Sequence, residues 1–562
     1  MRNRKTTLAL SVLLIIALLA AGCVSKPGSN QPSKGEQGNN TATEGQGATG
    51  KQQFRLNLST EPPTLDPAQA QDQISGTVLN GIFEGLTRVN EQAEVVPAVA
   101  KSWVISEDGT KYTFQLRDDV KWSNGDKVTA QDFEFAWKRV LNPDLKPKAS
   151  PYAYMLYYIK GAEDYNSGKG SVDDVAVKAT DEHTLEVEIN TATPYFLSVV
   201  SFVTYYPVHS SVTDNPAFAS KADTLISNGA FKMSDWKKGT SITIAKNENY
   251  YDIDNIKLDS VHFTMVNDAG SEVNMYKTDI IDYAGKPTGV LPTDQLESLK
   301  ADHPDEFKIK STAGLNYYIF NTTKKPFDNV KVRQAMSMAI SRSDLTEKVT
   351  RGQQVPAYGM VPPGISGEKD DFRTEYPDNY FTEDYEAAKQ LLAEGLQESG
   401  LSEMPEFSLL YNTNEINQKV AEAIVEMWRV NLGINASIGN QEWNVFLDNR
   451  RALNYEVARS AWGADYNDPI TFIDLYTTTG GNNDIGYSNP AYDALVAEVN
   501  NTSDQAVRMK KMAEAEKLLM EDRPVIPLFY DSAVYMLKPG FKNIYIDFKG
   551  DIQYVHGYYE AP

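Results

Sequence analysis

Apolar and polar residues alternate along this chain in short bursts separated by turn chemistry. Residues 54–59 (F-R-L-N-L-S), 111–116 (K-Y-T-F-Q-L), 183–189 and 241–245 put every second side chain on one face and read as half-buried strands. Glu107-Asp108-Gly109, Ser123-Asn124-Gly125 and Ser227-Asn228-Gly229 punctuate them as turns. Residues 131–141 switch to a helical period: Phe133, Trp137 and Val140 share a face, and Thr129 with Asp132 supplies an N-cap. Prolines keep residues 60–67 (T-E-P-P-T-L-D-P) extended.

From about residue 285 the pattern changes. Residues 316–321 read as a strand, after which Pro326-Phe327-Asp328-Asn329 caps an apolar helix through Ile340. A strand at 407–411, a helix at 415–432 stopped by Gly433 and a strand at 434–438 form a β-α-β unit. Open sheets built from such units take ligands beyond the carboxyl ends of their strands, so residues 412–417 are expected at a cleft. Helices at 490–499 and 505–522 precede two final strands, 525–530 and 533–537. The fold class is α/β, and 562 residues exceed one core, predicting two or three domains.

A strand from Tyr455 breaks at Gly463 into a loop carrying Asp465, Tyr466, Asn467 and Asp468 before Pro469. A carboxylate just past a strand, flanked by Trp462 and Tyr466, is suited to hold a cation against aromatic walls. The competing reading takes these residues as turn formers only. Tyr152, Tyr154, Tyr157 and Tyr158 form a cluster that lines a groove or fills a core.

Composition narrows the class. The chain is 41% hydrophobic and 10% aromatic, as a globular protein is, and its net charge of −22 argues against nucleic acid as a partner. Arg2, Arg4 and Lys5 precede an apolar run at 8–21, too short to span a bilayer and read as a signal peptide over residues 1–22. It ends in Leu19-Ala20-Ala21-Gly22-Cys23, the only cysteine, which resembles a bacterial lipobox with Ala20 where Leu is usual. Cys23 is thus the expected lipidation site, and residues 23–50, rich in Gly, Ser, Asn, Gln and Thr, a flexible tether. No disulfide forms within a chain of one cysteine. The G-x-G-x-x-G at 45–50 lies in that tether, with no strand before it and no helix after it, and is dismissed as a dinucleotide fingerprint.

No catalytic constellation emerges. The five histidines (His183, His209, His262, His303, His556) are scattered, and the aspartates at 252, 254 and 259 lack the Gly and Glu of a calcium loop. No metal and no cofactor are expected. A secreted hydrolase remains a remote alternative, resting only on 76 carboxylates.

Residues 98–133 (A-V-A-K-S-W … D-G-T-K-Y-T-F-Q-L-R … V-K-W-S-N-G … T-A-Q-D-F) resemble the signature of the peptide- and nickel-type solute-binding proteins of ABC importers. Residues 61–67, 227–231, 325–340 and 410–413 match the same family, and 441–450 with 457–469 are closer to its oligopeptide-binding branch. The resemblance runs from about residue 54 to the end. It implies a two-lobed periplasmic-binding-protein-like (type II) fold with three domains and a hinge cleft. Domain I would comprise 51–88, 206–285 and 525–562, domain II would be inserted at 89–205, and domain III would span 286–524. It further implies a monomeric binding protein, not an enzyme, that passes oligopeptides to permease subunits in the membrane. Dipeptides, murein peptides, signalling peptides and a nickel chelate remain alternative ligands. In relatives, the aspartate matching Asp465 pairs with the peptide α-ammonium. The segments around Glu61 and Pro63 and around Ala461, Trp462 and Gly463 would offer main-chain partners. Arg450, Arg459 and Lys324 match basic positions near the ligand, Tyr152 and Trp443 would line the site, and Asn417 falls where relatives can carry histidine.

Overall fold

The computed structural model describes residues 52–91 and 93–561; the expectations for the leader, Cys23 and the tether lie outside them. An eleven-stranded sheet runs through the molecule. At one end lie three parallel strands, Ser437–Gln441, Ser408–Asn412 and Val457–Gly463. At the other, Tyr283–Gly285, Gln53–Asn57 and Ser260–Thr264 are also parallel, extended by the antiparallel Ser241–Lys246 and Phe231–Lys237. Two long antiparallel strands, Phe307–Phe320 and Val525–Leu537, join the halves. Their register breaks between Ser311 and Leu315, which separates a stretch paired within one half from a stretch paired within the other. The sequence pattern suggested two strands at 525–530 and 533–537. They are one strand, because Asp531 and Ser532 sit at that break without ending the pairing.

A separate four-stranded sheet, ordered Ala100–Ile105, Lys111–Leu116, Thr184–Glu188, Val177–Ala179, carries helix Ala130–Leu141. The expected cap is present, with the Thr129 N–H donating to Asp132 at 2.8 Å. The helix buries Phe133, Trp137 and Val140, and the Trp137 indole donates to the Tyr205 carbonyl at 2.8 Å. Arg139 on the same helix grips Asp66 through two bonds of 2.9 and 2.5 Å, fixing the proline-rich stretch to it.

The β-α-β unit holds as expected. Helix Glu415–Leu432 buries Val420, Ala421, Ile424 and Trp428 along one stripe, and Gly433 ends it at φ 71°, where a glycine is unstrained. That stripe packs in a core with Val332, Met336, Leu409 and Val457. The Ser-Asn-Gly turn has a structural cause too. The Asn228 amide exchanges hydrogen bonds with the Glu84 backbone (2.9 and 3.1 Å), and a Cβ on Gly229 would stand 2.5 Å from the Ile82 carbonyl carbon. Only glycine lets the two segments approach so closely.

Asn228 is fully buried and its amide serves two buried backbone groups. Asn228→Leu strands both, so its stability should fall by about 2–4 kcal/mol, read as an earlier urea midpoint at unchanged slope.

Candidate ligand-binding site

The carboxyl ends of both parallel triplets open on one cavity of about 1160 Å³. Asn412, Thr413 and Asn414 line it from one triplet, and Ser59, Thr60, Lys286 and Thr288 from the other. Thr312, Gly314, Asp531 and Ser532, at the register break of the two long strands, also line it. A switch from one half-sheet to the other is where an α/β sheet leaves room for a ligand.

Strand Val457–Gly463 forms part of the wall. It pairs with the long strand over its whole length, from Phe320↔Val457 to Gly314↔Gly463. On its other side only Val457 and Ala458 are paired, with Leu409 and Leu410. Residues 459–463 therefore present an unpaired strand edge, and all five line the cavity. Such an edge is a template for another extended chain.

The loop that follows sorts its polar residues into distinct roles. Asp468 is buried and accepts two bonds from the Arg508 guanidinium at 2.9 and 3.0 Å. The Asn467 side chain accepts from Ser366 N–H at 2.9 Å. The Tyr466 ring stacks on Tyr195 with centroids 5.0 Å apart, and its hydroxyl meets that of Tyr158 at 3.1 Å. The Thr471 hydroxyl accepts from both Trp462 Nε1 (3.4 Å) and Asp465 N–H (3.3 Å). Turn chemistry thus accounts for Asn467 and Asp468 and leaves the Asp465 carboxylate without a hydrogen bond or ion pair among the described residues. It lines the cavity and is half-buried. Burial pushes its pKa up to about 8, Asp474 and Asp551 add to this, and Lys549 opposes it. Lys549 itself is engaged by Asp551 at 3.0 Å.

Arg459 reaches Asn316 Oδ1 at 2.8 Å and Asn412 Oδ1 at 3.4 Å and has no carboxylate partner among the described residues. Burial lowers its pKa. The Asn417 amide donates to the same Asn412 oxygen at 3.0 Å, so the three side chains form one chain along the wall. Asn417 is not the helix cap; Asn414 is. Arg450 lines the cavity but is neutralised by Asp484 at 2.5 Å. Trp443, Trp462 and Tyr152 line it as well, Trp443 stacked on Phe446 and Tyr152 on Tyr154. Three of the expected residues are not among the lining residues. Lys324 pairs with Glu456 at 2.8 Å, Pro63 is exposed, and Glu61 accepts from Trp236 Nε1 (2.9 Å) and Gly239 N–H (2.6 Å).

Further contacts join segments that are distant in sequence. Asn482 donates to the Tyr154 hydroxyl at 2.8 Å, Arg451 donates to Gln71, and Tyr158 and Tyr195 meet Tyr466. Sequence reasoning missed Arg508, Asn482, Gln71 and Arg451, because their partners lie tens to hundreds of residues away.

A large cavity walled by strand ends, with a free strand edge and an unpaired carboxylate, is the geometry of a solute-binding protein. The chain belongs to the bacterial extracellular solute-binding proteins, family 5, whose middle-region model matches residues 94–484. It is 38% identical to the oligopeptide-binding protein OppA of Bacillus subtilis over 566 residues, covering 100% of both chains. The dipeptide-binding protein DppE of the same organism is 38% identical over 509 residues, covering 89% of this chain and 92% of that one. Among solved structures, Haemophilus influenzae OppA in complex with RPPGFSPFR superposes with a TM-score of 0.83 at 31% identity, covering 91% of this chain and 99% of that one. The fold is the two-lobed type II periplasmic-binding-protein fold expected from the sequence.

The raised pKa of Asp465 has a sign. The folded protein holds a proton that the unfolded chain releases near pH 3.9, so this group costs stability as pH rises from about 4 to about 8. Asp465→Asn removes that cost. Without ligand, the variant should exceed the wild type by about 2–4 kcal/mol at pH 8.5 and match it at pH 4, as chemical unfolding at the two values would reveal.

Proposed function

We propose that this protein captures oligopeptides in extended form and delivers them to the permease of an ABC importer. The peptide lies along the free edge at residues 459–463 with its α-ammonium on Asp465. The pairing of an unpaired strand edge with a carboxylate just beyond its end carries this reading. Main-chain hydrogen bonds are common to all peptides, so the edge accepts many sequences. The ammonium supplies the opposite charge that the Asp465 surroundings lack. Four residues separate Arg459 from Gly463, about 13 Å along a strand, which puts Arg459 within reach of the terminal carboxylate of a short peptide. The cavity of about 1160 Å³ exceeds the roughly 300–1,000 Å³ of ordinary small-molecule sites and favours oligopeptides over dipeptides.

We assign residues 51–88, 206–285 and 525–562 to domain I, 89–205 to domain II and 286–524 to domain III, with closure hinging at the register break of the two long strands. The monomer is the functional unit. Residues 1–22 are the signal peptide and 23–50 the tether, and Cys23 carries the lipid that holds the protein at the outer face of the cell membrane. One acyl chain binds a membrane only marginally, so the cysteine is diacylated.

Asp465→Asn keeps shape and removes charge, leaving a buried ammonium unpaired at a cost of about 3–5 kcal/mol. In calorimetry, free-amine peptides should weaken by two to three orders of magnitude, about the same energy. N-acetylated peptides should bind poorly to both proteins; full wild-type affinity for an acetylated peptide would refute the amine anchor. Cys23→Ser should move the folded, peptide-binding protein from the membrane fraction into the medium, and its retention at the membrane would refute the anchor.

A further inference from the structure

Asp465 has little of its own to hold it in place. Its backbone N–H reaches the Thr471 hydroxyl at 3.3 Å, and residue 465 forms no other hydrogen bond among the described residues. Its position is therefore set by the residues on either side. The Ala464 N–H donates to the Ala313 carbonyl at 2.8 Å, which fixes the upstream side to the long strand Phe307–Phe320. On the downstream side stands Tyr466, which is buried and is not among the residues lining the cavity. Consecutive residues thus do different things: Asp465 lines the cavity, and the Tyr466 ring packs behind its wall.

What Tyr466 packs on comes from the segment that builds the four-stranded sheet. Its ring lies flat on that of Tyr195, with centroids 5.0 Å apart and 5° between the planes. Its hydroxyl meets that of Tyr158 at 3.1 Å, and Tyr195 donates to the same Tyr158 hydroxyl at 3.2 Å. Arg508, which holds Asp468 further along the loop, has its guanidinium carbon 4.9 Å from the Tyr195 ring centroid. Tyr195 therefore braces the loop at Tyr466 and, through Arg508, at Asp468. The platform behind it is firm. The Tyr158 carbonyl accepts from Asn190 N–H at 2.8 Å, just past strand Thr184–Glu188. Tyr195 opens the short helix Phe196–Val199, whose Phe196 is fully buried with its ring 4.8 Å from that of Tyr112.

We propose that Tyr195, with Tyr158, is a positioning residue for the ligand's amine: docked on Tyr466, it fixes where the Asp465 carboxylate stands. This deepens the peptide reading above and rests on it. A charge-assisted hydrogen bond is sensitive to distance and angle, so a loop free to shift would lose part of its hold on an ammonium. Tyr158, Tyr195 and Tyr466 do not line the cavity, and they act on the ligand through Asp465. A simpler role competes, in which the tyrosines only pack one part of the protein on another. Packing serves binding whether or not Asp465 is charged, whereas positioning has nothing left to act on once that charge is gone.

The test is a double-mutant cycle between Tyr195 and Asp465, read by calorimetry with tetra-alanine. Tyr195→Ala should weaken binding about threefold to tenfold in the otherwise wild-type protein, the factor that an aromatic pair of this geometry supports. In the Asp465→Asn background the same change should cost less than about twofold. Tyr195→Phe keeps the stacked ring and should stay within about twofold of the wild type. Tyr195→Leu fills the space without a ring to stack; it should repeat the pattern of Tyr195→Ala and guards against misfolding of the smaller variant. An equal factor in both backgrounds would overturn the proposal and leave packing alone, as would an unchanged affinity in Tyr195→Ala. If Asp465→Asn itself leaves the affinity for tetra-alanine untouched, the amine reading fails and this proposal with it.

Discussion

A half-buried carboxylate given no counter-ion is the constraint on which this site depends. Asp465 holds its proton up to about pH 8 because burial outweighs the distant attraction of Lys549. Nothing in the loop relieves it, since each neighbour is committed elsewhere: Asp468 to Arg508, Asn467 to Ser366, and the Thr471 hydroxyl to two N–H groups. Those commitments make the loop rigid and keep Asp465 from finding a partner of its own. A ligand with a cationic end supplies what the fold withholds. The same arrangement would be a defect in a structural loop, where an unpaired buried charge only costs stability.

The contacts that join residues 154–195 to residues 466–482 are of another kind. Tyr158 and Tyr195 meet Tyr466, and Asn482 meets Tyr154, all through neutral groups. Hydrogen bonds between neutral groups contribute about 0.5–1.5 kcal/mol each, and their partners are readily satisfied by water when apart.

Much of the scaffold was legible from pattern alone. The helices at 415–432 and 505–522 and the strand at 111–116 coincide with their expected bounds, because period and caps agree there. The long strand Phe307–Phe320 was recognised only from residue 316 onward. Its first part carries lysines and a glycine at the break, so one-face alternation fades where the strand passes from one half-sheet to the other. Within the site, Asp465 stood out because strand and turn grammar flags a charged residue just past a strand, and Arg459 because it matches a basic position in relatives. Lys324 and Glu61 stood out by resemblance alone, and in this chain local partners engage both, Glu456 for one and Trp236 with Lys238 for the other. Arg451 carried no signal, since its neutral partner Gln71 precedes it by 380 residues.

Charge on the whole chain offers a tempting shortcut to ligand preference. A net charge of −22 draws cationic ligands in general. At physiological ionic strength, however, exposed charges more than about 8 Å away are largely screened, while groups enclosed in a cavity are screened much less. What a bound peptide experiences is therefore the short list of cavity charges that remain after internal pairing. Arg450, Lys549 and Lys286 drop out of that list because Asp484, Asp551 and Asp531 already answer them. Asp465 and Arg459 stay in it, together with Asp72, Glu442 and Asp547, which line the cavity with no cation at ion-pairing distance among the described residues. The cavity is therefore richer in carboxyl groups than in free cations, as the surface is, and the Arg459 guanidinium is a local exception to it.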